Sequence, residues 1–287
     1  MRSMQTSRRA FVIGSAGSLL AAAGLGAQAP PQTAQQVIDR IKTALGPPKP
    51  GNTVDGFKAG DPATVVTGVA TTALATVTAL RVATRQLRAN LVITHEPVFY
   101  TANDDPGPRG TDPVYLAKKK LIDDEKLVVY RLYDHWLFTF PNAFAETIAR
   151  NLRGRAMAGA DQVYEIPETT LGTLLPRTGY PGSRLVGDPT MKVRRVFVAA
   201  GTTTLAATMA GLQKADVVIS GEPREWEAVP YVHDAITAGQ AKGMIVLGRI
   251  VSEDHGMTAC AEWIQKQLPG LQVRNVLFGD PYWKAGI

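Results

Sequence analysis

The run Leu91-Val92-Ile93-Thr94-His95-Glu96-Pro97 sets a buried strand, a metal-capable pair and a strand breaker side by side. Three aliphatic side chains and Thr94 read as a strand covered on both faces. Pro97 has no N–H to give a ladder, so the strand ends there, and His95 and Glu96 are expected exposed at its carboxyl end. In open α/β sheets that edge is where ligands bind. Imidazole and carboxylate ligate zinc, manganese or iron, and either can act as a general base. A plain reading stands beside this one: His95 caps the strand and Glu96 is solvated.

The same pattern recurs further along. With Ala215–Pro223 set beneath Ala89–Pro97, Val218 meets Val92, Ile219 meets Ile93, Ser220 meets Thr94, Glu222 meets Glu96 and Pro223 meets Pro97. The surrounding elements repeat in order. The first half reads as helix Thr33–Leu45, strand Val65–Ala70, helix Thr72–Ala89, the His95 strand, a helix from Pro113 and strand Leu127–Tyr130. Pro141 then opens a helix that runs to Leu152. The second half reads as strand Val196–Ala199, helix Thr202–Ala215, strand Asp216–Ile219 and strand Met244–Leu247. This is an internal duplication. It predicts an α/β protein of two pseudo-symmetric halves, 30–155 and 156–287, each a short, mostly parallel sheet flanked by helices. The first half carries His95-Glu96 and the second carries Glu222 and Glu253. Right-handed crossovers put the strand ends of each half on one edge. His95-Glu96, Asp134-His135, Glu222 and the Arg249–Glu253 turn are then candidates for one cleft.

Composition is that of an ordinary globular protein: 287 residues, 45% hydrophobic and 20% charged, with a net charge of +6. Arg2, Arg8 and Arg9 account for three of those charges and precede residue 30, so the remainder carries only +3. No aromatics interleave with arginines, and nucleic acid is not among the expected partners. Arg8-Arg9 before the weakly apolar run Val12–Ala27 reads as a twin-arginine signal over 1–29. It implies export to the periplasm or beyond, with no stable membrane anchor after cleavage. The single Cys260 excludes an intramolecular disulfide and reads as part of a core helix face. His255 reads as a capping or surface residue at a helix start rather than a ligand, and His233 as a solvated or core-edge histidine within a helix. Arg224, near a helix start, can bind an anionic substrate or simply form a surface ion pair. There is no Walker loop, Gly-x-Ser-x-Gly or dinucleotide fingerprint.

Four segments together resemble a known family. They are His95-Glu96-Pro97, Ala199-Ala200-Gly201, Ser220-Gly221-Glu222 and Gly248-Arg249-Ile250-Val251-Ser252-Glu253. The sequence is similar, from about Val54 to Trp283, to the NGG-one-interacting-factor-three-like proteins, a dinuclear-metal-centre hexameric family often labelled type-two GTP cyclohydrolase-one. The resemblance implies the duplicated fold, a homohexamer and a metal site at His95 and Glu253. Glu96 stands where the family has a second histidine. Arg249 stands where it has another, and a guanidinium stays protonated and cannot ligate. Tyr133 and Leu137 fall on two further ligand positions, beside Asp134 and His135. The expectation is one divalent ion per subunit (zinc, manganese or iron) rather than two. It would be held by His95, Glu96 and Glu253, with Asp134 or His135 completing the shell. Glu96 and Glu253 are the candidate catalytic carboxylates, and Arg249 and Arg224 the candidate substrate-binding groups. The activity implied is a metal-dependent hydrolase on a small anionic substrate. The alternative is a non-catalytic metal- or ligand-binding protein whose site is partly lost.

Overall fold

Local sequence starts most helices where the caps fall. Thr33 accepts from the Gln36 N–H at 3.3 Å while the Gln36 side chain accepts from the Thr33 N–H at 2.9 Å, closing a capping box. Asp112 accepts from the Val114 and Tyr115 N–H groups, with Pro113 in the first helical position. The computed structural model describes residues 30–282 except Pro106, Pro181 and Asp280; the twin-arginine segment over 1–29 lies outside them.

The elements of the first half are α1 (Ala34–Leu45), β1 (Gly56–Ala59), β2 (Val69–Thr72), α2 (Val77–Arg85), β3 (Leu91–Thr94), α3 (Pro113–Asp124), β4 (Val128–Arg131), α4 (Asp134–Thr139) and α5 (Ala143–Asn151). Those of the second are β5 (Arg155–Ala156), β6 (Val163–Thr170), α6 (Leu171–Arg177), β7 (Arg184–Val186), β8 (Lys192–Thr203), α7 (Leu205–Lys214), β9 (Val217–Pro223), α8 (Glu225–Thr237) and β10 (Gly243–Val246). After these come α9 (Arg249–Gln267) and β11 (Val273–Asn275).

Two sheets result, in the orders β1-β4-β3-β2-β11 and β5-β6-β8-β9-β10-β7. Their centres match: β2, β3 and β4 run parallel in one, and β8, β9 and β10 run parallel in the other. An antiparallel strand borders each centre at the same place, β1 on β4 and β7 on β10. This is the duplication, strand for strand. The parallel order holds through β11 in the first sheet, whereas β6 and β5 extend the second in antiparallel fashion. The segment 157–162 that joins those two is far shorter than a parallel crossover requires.

The halves also interlock. Ala145, Ile148 and Leu152 of α5 pack in the core of the second sheet. In return, α9 sends Met257, Cys260 and Ile264 into the core of the first, against Ile38 and Ile41 of α1. Each fully buried leucine, isoleucine or methionine among these contributes about 1.5–3 kcal/mol. The two helices meet at Gly256, where a Cβ would lie 1.8 Å from the Phe144 ring. Among the described residues no helix is long and apolar enough to cross a membrane.

The second sheet is not mostly parallel as expected, since three of its pairings are antiparallel and two parallel. The strand read at Val65–Ala70 forms at Val69–Thr72, and the helix read at Thr72–Ala89 forms at Val77–Arg85. Two further details differ from the sequence reading. β3 does end before Pro97, but β9 runs on through Pro223, which pairs with Thr203. The β9–β10 ladder stops at Ser220. After the Gly221 carbonyl, which still accepts from the Gly248 N–H at 2.9 Å, β9 pairs only with β8, so a missing N–H at Pro223 costs little. The second detail is Arg249–Glu253, which forms the first turns of α9 rather than a loop.

Candidate metal centre

His95 follows the last residue of β3, and its backbone is held on both sides. Its N–H donates to Thr72 of β2 at 3.1 Å, and its carbonyl accepts from the Arg131 Nε of β4 at 3.2 Å. The ring is enclosed by Tyr133, stacked at 4.4 Å, and by Phe144 of α5, edge-on at 4.8 Å. The expected exposure of His95 and Glu96 is therefore wrong: they are 1% and 5% exposed. The strand does stop there, but α4 and α5 close over its end. Nδ1 lies 3.2 Å from the Leu132 carbonyl, and only a protonated nitrogen can pair with that oxygen. The Nε2 lone pair is thus left facing inward, without a partner. Burial drops the imidazole pKa to about 3, so the ring is neutral at physiological pH.

Glu253 arrives from the other half, on the second turn of α9. One face of its carboxylate fits against Gly201, where a Cβ would lie 2.7 Å from Oε1; Gly201 has φ +69. Its other oxygen, Oε2, is buried with no neutral or cationic donor among the described residues, and only the Glu96 carboxylate is close enough to share a proton with Glu253. Gly221 makes this approach possible, because a Cβ there would sit 2.3 Å from the Gly201 carbonyl and 2.5 Å from the Ser252 hydroxyl. Ser252 pins the turn by accepting from the Gly201 N–H at 2.8 Å and donating to the Arg249 carbonyl at 2.6 Å. Burial holds the Glu253 carboxyl well above the usual carboxylate range, and the nearby Glu96 charge adds to the shift while Arg249 opposes it.

His95, Glu96 and Glu253 thus each offer a ligand atom, and the three atoms lie within 4.8 Å of one another. Two of the three donors have no neutral or cationic partner among the described residues. The set fits a divalent ion that accepts nitrogen and oxygen ligands.

Arg249, the first residue of α9, sits among these acids. Its Nε and Nη2 both donate to Glu96 Oε1, at 3.0 and 2.7 Å, and its Nη1 donates to the Thr202 hydroxyl at 2.9 Å. Glu222 and Glu253 lie 3.7 and 3.8 Å away. The predicted convergence of His95-Glu96, Glu222 and Arg249–Glu253 is present.

Asp134 and His135 do not join it. Asp134 accepts from the Thr53 hydroxyl at 3.1 Å and the Val54 N–H at 2.9 Å. His135 turns its Nε2 to the Gly46 carbonyl at 3.0 Å. The expectation that one of them completes the metal shell is corrected: α4 begins at Asp134 and turns both side chains toward the 46–54 loop. Arg224 is also elsewhere, exposed and paired with Glu227 at 3.2 Å.

A cavity of about 930 Å³ opens on the other side of Arg249, at the carboxyl ends of β9 and β10. Its walls include Leu247, Val251 and Phe278, and its charged rim is Glu222, Arg184 and Glu225. Arg184, paired with Glu225 at 2.6 Å, holds the place the sequence reading gave to Arg224. Nothing in the sequence pattern marks Arg184 or Phe278. Asp254 of α9 fixes the tail behind Phe278 by accepting from the Phe278 and Gly279 N–H groups at 3.0 Å each.

The fold is that of the NIF3-related proteins. A Staphylococcus aureus hypothetical protein, SA1388, superposes with a TM-score of 0.66 at 15% identity, over 88% of this chain and 99% of that one. A Bacillus cereus protein related to NIF3 gives 0.63 at 13%, over 88% and 99%. The protein ybgI, described as of unknown function, gives 0.62 at 19%, over 88% and 100%. No protein-family model matches the sequence, and no curated protein matches it either.

Proposed function

We propose that this protein is a divergent, exported relative of the NIF3-related proteins that holds one divalent ion on His95, Glu96 and Glu253. We further propose that it hydrolyses a small anionic substrate. The observation that carries the reading is the pair of buried, unpartnered donors, His95 Nε2 and Glu253 Oε2, beside Glu96. Leaving such atoms without a partner costs about 1–3 kcal/mol each, and a bound cation removes that cost. A bound ion there acts as a Lewis acid and lowers the pKa of water.

The chain's own groups have separate parts. Neutral His95 offers its Nε2 lone pair at any pH near 7. Glu96 and Glu253 are the carboxylates we assign to taking and returning a proton beside the ion. Arg249 fixes Glu96, and with Arg184 it gives the cavity two guanidinium groups for an acidic substrate. Tyr133 and Phe144 keep water from the imidazole.

One observation favours a second reading, a non-catalytic binding protein. Arg249 already satisfies Glu96 from within, as a cation would. Metal analysis separates the two. Protein purified from the exported fraction is expected to carry about one zinc, manganese or iron per chain and to cleave small phosphate or carboxylate esters only when loaded. One ion without turnover favours the binding protein. No ion in the wild type after supply of all three metals overturns the metal-dependent hydrolase and favours the binding protein, with Arg249 in the place of the ion. Export by the twin-arginine route and assembly as a homohexamer belong to the same proposal. Replacing Arg8 and Arg9 by lysine should strand precursor in the cytoplasm, and light scattering should give six chains.

A further inference from the structure

Arg249 faces two ways. Its guanidinium closes on Glu96 from one side and forms part of the cavity wall on the other, with the side chain 34% exposed. Three carboxylates surround it: Glu96, Glu253 and Glu222. The first two are 6% and 4% exposed at the side chain, whereas Glu222 is 58% exposed and reaches the cavity. As the structure stands, the guanidinium is the internal cation that balances the buried pair. Two positive charges sharing the Glu96 carboxylate repel at these distances. Arg249 and a divalent ion on His95, Glu96 and Glu253 therefore compete for the charge of the Glu96 carboxylate, whose Oε1 the guanidinium now holds. When Arg249 loses that contest its open direction is the cavity, whose wall it already forms, and the turn also releases its Nη1 from the Thr202 hydroxyl. The cavity wall beside it is apolar, formed by Leu247, Val251 and Phe278.

We propose that Arg249 is a latch between metal and ligand: it closes Glu96 when no ion is bound, and once an ion is held it turns to the cavity and binds the acidic group of a small molecule with an apolar body. This rests on the one-ion reading above. Linkage makes it reciprocal, so the acid must tighten metal binding by the same factor by which the metal tightens the acid.

The test is calorimetric titration of the mature chain with zinc alone, with phenylphosphonate alone, and with each in the presence of the other. Circular dichroism and thermal melting verify that each variant is folded. Arg249→Met removes the competitor and is expected to bind zinc at least about tenfold more tightly than the wild type. In the wild type, phenylphosphonate is expected to tighten zinc binding by about fivefold or more, and to leave Arg249→Met unchanged. Arg249→Lys keeps the charge but not the paired hydrogen bonds, and should fall between them.

Equal zinc affinity in wild type and folded Arg249→Met overturns the latch while leaving the metal site standing. So does a phenylphosphonate effect that persists in Arg249→Met, or none in the wild type. Absence of zinc binding in all three proteins overturns the metal site itself, and the latch with it.

Discussion

The two strand exits that match best in sequence do opposite things in space. After β3 comes His95, buried between Tyr133 and Phe144; at the equivalent place after Ser220 stands Gly221, whose value is that it has no side chain. Glu96 is buried and bound by Arg249, whereas its counterpart Glu222 stands mostly in solvent. The next strand pair diverges in the same way. β4 leads into a short helix headed by Asp134, and β10 leads into the long α9 headed by Arg249. The ladders Thr94↔Arg131 and Ser220↔Val246 place those two residues at corresponding positions. Duplication copied the backbone and its registers. The site comes from breaking that symmetry: one half gives the imidazole and a buried acid, and the other gives space, a second acid and a guanidinium.

The largest expected effect tests His95 against Gly221 through pH. His95 titrates near 3 when folded and near 6.5 when unfolded, so the unfolded chain binds the extra proton between those values. Stability from this group is full above pH 6.5 and is lost as pH falls toward 3, by roughly 5 kcal/mol at full extent. Glu253 slopes the other way, because its raised carboxyl favours the fold below its ordinary pKa and loses that advantage as pH rises. The difference between wild type and His95→Gln, measured by urea unfolding in chelator across that range, isolates the histidine. A flat difference would refute a neutral, buried ring.

Next in size is Gly221→Ala. A methyl group directed at the Gly201 carbonyl and the Ser252 hydroxyl forces two strands apart, at a cost of about 3 kcal/mol in unfolding free energy. Tolerance of the alanine would mean that the close approach is dispensable.

Glu96→Gln and Glu222→Gln then compare the paired acids. The first should weaken zinc binding by about a hundredfold and the second by less than about threefold, because only the first is a buried ligand. Equal losses would mean that the metal lies toward the cavity instead.

Smallest is Asp134→Ala, which removes the acceptor for Thr53 and Val54. It should cost about 1–2 kcal/mol of stability and shift zinc affinity by no more than about twofold. A large loss of affinity would restore Asp134 to the metal shell.

Much of this was legible in the chain. The paired motifs Ala89–Pro97 and Ala215–Pro223 foretold equivalent parallel strands, since apolar runs and helix caps act within a few residues. His95 and Glu96 were nameable because a metal-capable pair between a buried strand and a proline stands out, and Glu253 because Gly248–Glu253 resembles a family motif. Cys260 was placed on a core helix face as well. What stayed hidden depends on contacts far along the chain. Burial of His95 rests on Phe144, and that ring's seat rests on the absence of a Cβ at Gly256. Asp134 and His135 looked like ligands because they follow a strand. Only the fold shows the 46–54 loop claiming both, and sequence proximity says nothing of which way a helix turns its first side chains. Arg249 could be read as a lost ligand, but its hold on Glu96 joins residues 153 positions apart. Side-chain type and local periodicity therefore settled which residues could do chemistry. Which of them meet was decided by packing two halves against one long helix, where room for one carboxylate depends on two glycines from other strands.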